Sequence, residues 1–144
     1  MARVQFTARK HLRVPARTAY DALVDWQGHA DWVPMTRVVI ESGDGGVGTV
    51  FVATTGLGPA ALPDRMRVEA MDPEEMTVDI VKIGPVLHGD VRIAVTASSN
   101  TTCEIAWHED ITIPVVPSFA APAVEVATKK AFEKSIDRLG KTLR

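Results

Sequence analysis

The chain has 144 residues, 46% hydrophobic and 24% charged, which is a length for one domain with a core of its own. Its 16 Lys and Arg against 18 Asp and Glu give a formal net charge of -2, which excludes a globally basic nucleic-acid surface. The single cysteine, Cys103, excludes an internal disulfide framework, and no segment approaches the ~20 apolar residues of a membrane span.

The first residues, Met1 to Phe6, lack the apolar stretch of a signal peptide, so a cytoplasmic protein is the expectation. From Arg3 to Val14 the pattern alternates. Val4, Phe6, Ala8, Leu12 and Val14 share one parity, with Lys10 as the exception on that side. Period 2 with one apolar face predicts a half-buried strand. Pro15 then opens a short helix over residues 16–25, with Ala19, Tyr20, Leu23 and Val24 on one stripe. A second, very short helix follows over residues 26–32 and stops at Pro34.

The period returns to 2 from Thr36. Val38 and Ile40 lead into the turn Ser42-Gly43-Asp44-Gly45-Gly46, and residues 48–55 form the second arm of a hairpin. Residues 62–70 alternate again, with Met66 and Val68 on one side. Asp72-Pro73-Glu74-Glu75 turns the chain, and Met76, Val78 and Ile80 face one way in the next strand, which Gly84-Pro85 ends. Val91, Ile93 and Val95 mark another strand. In the last one Cys103, Ile105, Trp107, Ile111 and Ile113 share the apolar parity, with Glu109 as a second charged exception. After Pro114 and Pro117, Ser118 offers an N-cap for one long helix. Thr128, Phe132, Ile136, Leu139 and Leu143 lie near one line of it, and Glu125 with Lys129 and Asp137 with Lys141 form i,i+4 pairs. A strand, two short helices, six successive strands and a long helix make an antiparallel α+β protein.

This order, with particular words at particular places, resembles the START-like or helix-grip (SRPBCC) superfamily, in its bacterial polyketide cyclase/dehydrase and lipid-transport branch. The words are Val14-Pro15-Ala16, Asp25-Trp26 with Trp32-Val33-Pro34, Gly46-Val47-Gly48-Thr49, Thr55-Gly56-Leu57-Gly58-Pro59, Asp72-Pro73 and the final helix. The resemblance implies one domain over residues 1–144, a curved seven-stranded antiparallel sheet wrapped around the C-terminal helix, and an apolar cavity between them. It carries over no catalytic residue. Members of the superfamily include carriers, receptors, cyclases and dehydratases, so the fold leaves function open.

Gly43-Asp44-Gly45-Gly46-Val47-Gly48 has the literal spacing of a dinucleotide-binding loop, but a β-branched run follows it where a helix must open, which makes it a hairpin turn. The four histidines, His11, His29, His88 and His108, lack metal-site spacing, and neither a metal nor another cofactor is expected. Lys10 and Glu109 each break an apolar parity. In the resembled fold their strands are neighbours, so the two can meet as a structural ion pair or as polar anchors for a ligand; a local bulge that turns either outward is the other reading. His88 enters the cavity mouth only if a bulge at Gly89 flips its strand. Phe51, Met66, Met76, Trp107, Phe119 and Phe132 read as inward bulky residues, and Ala127, Ala131 and Ser135 as small residues under the sheet. Trp26 and Trp32 are expected to staple the short helices to the long one.

The expected function is carriage or sensing of a small apolar or amphipathic molecule. Its walls would be Phe51, Met66, Trp107 and Phe132, with Glu109 and Lys10 as anchors. The entrance would lie between residues 56–59 and the segment before the last helix. The enzyme alternative is a cyclase or dehydratase using Glu109 or His88 as acid or base. A third is a regulatory interaction protein without a small ligand. No nucleic acid partner is expected, and the chain would be a monomer or homodimer.

Overall fold

The structure is a computed structural model that describes residues 1–144, the side chain of Ala60 excepted. Seven strands, β1 (Ala2–Leu12), β2 (Thr36–Ser42), β3 (Val50–Thr55), β4 (Leu62–Asp72), β5 (Thr77–Ile83), β6 (His88–Ala97) and β7 (Cys103–Ile113), form one antiparallel sheet. Its order is β1-β7-β6-β5-β4-β3-β2, so β2 to β7 run as a meander and β1 closes against β7. Between β1 and β2 lie α1 (Ala16–Leu23) and a 3-10 turn (Gln27–Asp31); α2 (Ala121–Leu143) ends the chain. This is the helix-grip arrangement.

The alternation in the sequence is the alternation in the sheet. Val4, Phe6 and Ala8 of β1 are buried and face the core, as do Ile105, Trp107, Glu109 and Ile111 of β7. Register shifts between Ile40 and Ser42 in β2, and between Val68 and Ala70 in β4, bend the sheet on its β2 side. The glycine-rich segment is the β2–β3 turn, with positive φ at Gly43, Gly45 and Gly48, and no helix opens from it. Trp26 Nε1 donates to the carbonyl of Gly45 at 2.8 Å, and its ring stacks on Phe51 of β3 with centroids 4.9 Å apart. Trp32 leans on Trp107 of β7. The two tryptophans thus fasten the segment after α1 to the sheet, where the sequence suggested the long helix.

The helix α2 lies along β1, one of the two edge strands. Glu125 Oε1 accepts from the backbone N–H of Gln5 at 3.0 Å, and Asp137 Oδ2 meets Lys10 Nζ at 3.0 Å. Both carboxylates therefore serve β1 rather than Lys129 and Lys141, and one of them occupies an edge N–H that would otherwise be open to another strand. Its buried face is Ser135, Ile136, Leu139 and Gly140, with Phe132 half-buried, while Ala127 and Ala131 are exposed. Ser118 does not cap α2: it sits in a preceding 3-10 turn, and its hydroxyl donates to the carbonyl of Met1. Phe119 in the same turn is 86% exposed, because that turn lies outside the layer between sheet and helix. Met76 is half-buried at a β4–β5 turn position with φ +56.

Gly89 fixes the approach of β6 to β7. Its φ is +138, a region open to glycine alone, and a Cβ there would run into the carbonyl oxygen of Asp110. Gly89→Ala is expected to destabilise the protein by about 2 kcal/mol or more, read from the urea midpoint. An unchanged midpoint would mean that β6 can shift without cost.

Candidate functional site

Three ionisable side chains from three strands meet in the core. Lys82 of β5 follows Val78 and Ile80 on the inward parity and is 6% exposed; Glu109 of β7 is 2% exposed. Lys82 Nζ binds Asp64 Oδ2 of β4 and lies 3.6 Å from Glu109 Oε1. The second oxygen of Glu109 accepts from Trp107 Nε1 at 2.7 Å. Burial alone would lower the Lys82 pKa, but the charges of Glu109 and Asp64 outweigh it and hold the ammonium above its ordinary value. Lys82 is therefore a cation and not a free amine nucleophile.

Aromatic rings stand beside this cluster. Trp107 and Phe132 have centroids 4.8 Å apart, and Phe132 stacks on Phe6 at 5.6 Å. His29, in the 3-10 turn, is buried between Trp26 and Trp32. Its Nε2 is 2.7 Å from the carbonyl of Leu23, which only accepts, so that nitrogen carries the hydrogen. Burial pushes its pKa below the ordinary imidazole value, and the ring is neutral.

These side chains line a cavity of about 100 Å³ between sheet and α2. Phe51, Met66, Trp107, Glu109 and Phe132 all line it, together with Asp64, Lys82 and His29. Lys10 does not. It stands opposite Ile105, whereas Glu109 stands opposite Phe6, four residues along the ladder, and its chain runs out to Asp137 on α2. His88 is also absent from the lining. It is exposed beside Gly84 at the end of β6, and no flip of register brings it inward. Lys82 and Asp64 carry the same sequence signal as Glu109, a charge on the parity of Val78 and Ile80 or of Met66 and Val68. Both sit next to strand breakers, Gly84-Pro85 and Pro63, where that parity is easily lost.

A recess of about 370 Å³ adjoins the cavity, sharing Val33, Thr55 and Phe132 with it and bounded by Ala131, Lys134 and Ser135 of α2. The middle of α2 therefore forms this rim. Residues 56–58 border a different recess, beside Met35 and Arg37.

The two lysines on inward parities have opposite weight. Lys82→Met leaves two buried carboxylates without a cation, and is expected to cost about 3–5 kcal/mol in urea unfolding. Lys10→Met removes a partly exposed pair and is expected to cost under about 1 kcal/mol. Equal losses would contradict this placement.

His29 gives a pH signature. The unfolded chain takes up a proton as the pH falls through about 6.5, and the folded chain does so only at a lower pH, so stability is lost on acidification below about 6.5. Between pH 7.5 and 5.5 the wild type is expected to lose about 1 kcal/mol more than His29→Gln. Identical losses would mean that His29 titrates normally in the folded state.

A comparison with curated proteins finds no match. Among solved structures the chain is similar to the Zhui aromatase/cyclase from a Streptomyces species, with TM-score 0.81 and 14% identity over 98% of this chain and 93% of that one. It is also similar to a START superfamily protein from Mycobacterium smegmatis, with TM-score 0.80 and 12% identity over 96% of each chain. At these identities the likeness is one of fold. In sequence, the family described as polyketide cyclase / dehydrase and lipid transport matches residues 3–144. With that match over nearly its whole length, and with the sheet and gripped helix, the chain belongs to that family.

Proposed function

We propose that the protein binds a small apolar or amphipathic molecule between the sheet and α2. The apolar body would rest against Phe51, Met66, Trp107 and Phe132, and the polar group at Lys82, Asp64 and Glu109. One observation carries this reading: a cavity between the sheet and α2 has a charged cluster in its wall. Burying ions costs several kcal/mol each, and apolar residues of similar volume are often at least as stabilising. A core built for stability alone gains little from Lys82.

The cavity at about 100 Å³ is smaller than the ~150 Å³ that suffices for benzene. A ligand with even one ring therefore needs the recess as well. Phe132, which lines both spaces, is half-buried and packs on Trp107 and Phe6, and a change of its rotamer would join them. With its ring displaced, the joined space falls within the ~300–1,000 Å³ of small-molecule pockets.

A cyclase- or dehydratase-type reaction is the second reading. Its support is Glu109, a buried carboxylate whose two oxygens are held by Trp107 and Lys82 at the cavity wall, as an acid or base in an apolar site requires.

Native mass spectrometry of the protein, purified gently from its own host, tests the binding reading. The expected result is a discrete added mass that organic extraction removes. Phe132→Trp, which narrows the joint between cavity and recess, is expected to emerge with less of it. A bare wild-type protein would count against carriage and leave turnover by Glu109 as the reading to pursue.

A further inference from the structure

The two edges of the sheet are finished differently. The β1 edge lies under α2, and Glu125 occupies the backbone N–H of Gln5 there. The β2 edge has no such cover. Gly56 N–H donates to the carbonyl of Met35, one step beyond the Thr36–Thr55 pair of the β2–β3 ladder. In an antiparallel ladder hydrogen-bonded pairs alternate with open ones. Arg37 and Val39 therefore turn their N–H and C=O groups to β3, and Val38 and Ile40 turn theirs outward. Among the described residues these outward groups have no hydrogen-bond partner. An open edge of this kind is a template for another strand.

The side chains along this edge are ordered. Arg37, Val39 and Glu41 are exposed on the outer face, Val39 by 61%. Glu41 Oε1 accepts from Arg65 Nε of β4 at 2.7 Å on that face, while Arg37 has no ion-pair partner among the described residues. Val38 and Ile40, both half-buried, stand on the inner face. A cation and an anion thus lie at equal spacing on either side of an exposed valine.

We propose that β2 is the interface for a second copy of this chain, paired antiparallel about a two-fold axis at Val39. In that register Val38 and the partner's Ile40 exchange both backbone hydrogen bonds, and so do Ile40 and the partner's Val38. Val39 meets the partner's Val39 on the axis. Arg37 stands opposite the partner's Glu41, and Glu41 opposite the partner's Arg37. Opposite charges facing each other across an antiparallel pair are favourable, and like charges are not. Moving the axis to Val38 or to Ile40 keeps outward groups facing each other but sets Arg37 or Glu41 against Val39. The charges therefore select one register. The shift after Ile40 ends the regular edge, so the pairing is short and a weak dimer in equilibrium with the monomer is expected. Because α2 covers the other edge, association stops at two chains. The interface does not depend on what the cavity holds.

Sedimentation velocity from about 1 μM to 1 mM protein tests this. The wild type is expected to pass from one chain toward two and no further. Arg37→Glu sets like charges opposite each other in two places and is expected to weaken the dimer about tenfold or more. Adding Glu41→Arg and Arg65→Glu to it reverses the sign of every partner, within the chain and across the interface, and is expected to recover most of the wild-type association. Circular dichroism checks the fold of each variant. Val39→Lys brings two ammonium groups together on the axis and is expected to abolish the dimer, and it serves as the test if the charge variants do not fold. The proposal is overturned by a wild type that stays monomeric over the whole range, by growth beyond two chains, by a dimer that Arg37→Glu or Val39→Lys leaves intact, or by a folded triple variant that associates no better than Arg37→Glu.

Discussion

The burial of Lys82 is the constraint on which the rest of the structure depends. An ammonium ion in a protein core carries a desolvation cost of several kcal/mol, and it is held there only by anions placed against it. Those anions come from β4 and β7, on either side of β5 in the sheet. Asp64 is on the adjacent strand, while Glu109 reaches across β6, where Gly89 opposite Lys82 presents no side chain. A slip of one residue in any of these pairings would turn a charged side chain to the other face and separate Lys82 from at least one of its anions. The register of β4, β5, β6 and β7 and the charge of the cluster are thus fixed by one another.

The cavity follows from how the second layer is attached. The helix α2 is tied to the edge strand β1 by Glu125 and Asp137, and its buried face packs near its C-terminal half, from Ser135 to Gly140. Toward the other side of the sheet the layer is made by the 3-10 turn, whose tryptophans fasten to β3 and β7. Between these two supports the sheet is covered by Phe132, Trp107 and His29, and their rings leave space beside the charged cluster. Bulges in β2 and β4 bend the same side of the sheet. The space beside the ionisable groups therefore lies between the two supports of the second layer.

The fold was legible in the sequence because each strand has one wet face, and period 2 survives from Val4 to Ile111. The walls of the site were legible for the same reason: Phe51, Met66, Trp107 and Glu109 keep strand parity, and Phe132 keeps helical spacing. Parity locates a face, not a partner. Lys10 and Glu109 share the inward side of neighbouring strands, yet the long stem of Lys10 carries its charge out past the sheet edge to Asp137. Lys82 has no such exit from the middle of the sheet. Its partners come from strands whose spatial order a list of parities does not contain. His29 was silent for another reason, since a histidine in a turn has no periodicity to mark it. The exposed Phe119 and the uncapped start of α2 show the complementary failure. Residues outside regular elements follow local turn geometry, and hydrophobicity alone does not place them.

The cluster also explains why its members are not interchangeable. Lys82 is required by both carboxylates, Glu109 is required by the indole N–H of Trp107, and Trp107 in turn packs against Phe132. Asp64 is the exception. Without it one cation still faces one anion, so the fold needs Asp64 least, although it is the carboxylate in direct hydrogen-bond contact with Lys82. Asp64 is also the most exposed of the three, with its side chain 16% exposed against 6% for Lys82 and 2% for Glu109. Charge balance and burial therefore agree that Lys82 and Glu109 are the pair the core depends on, and that Asp64 is the member nearest solvent.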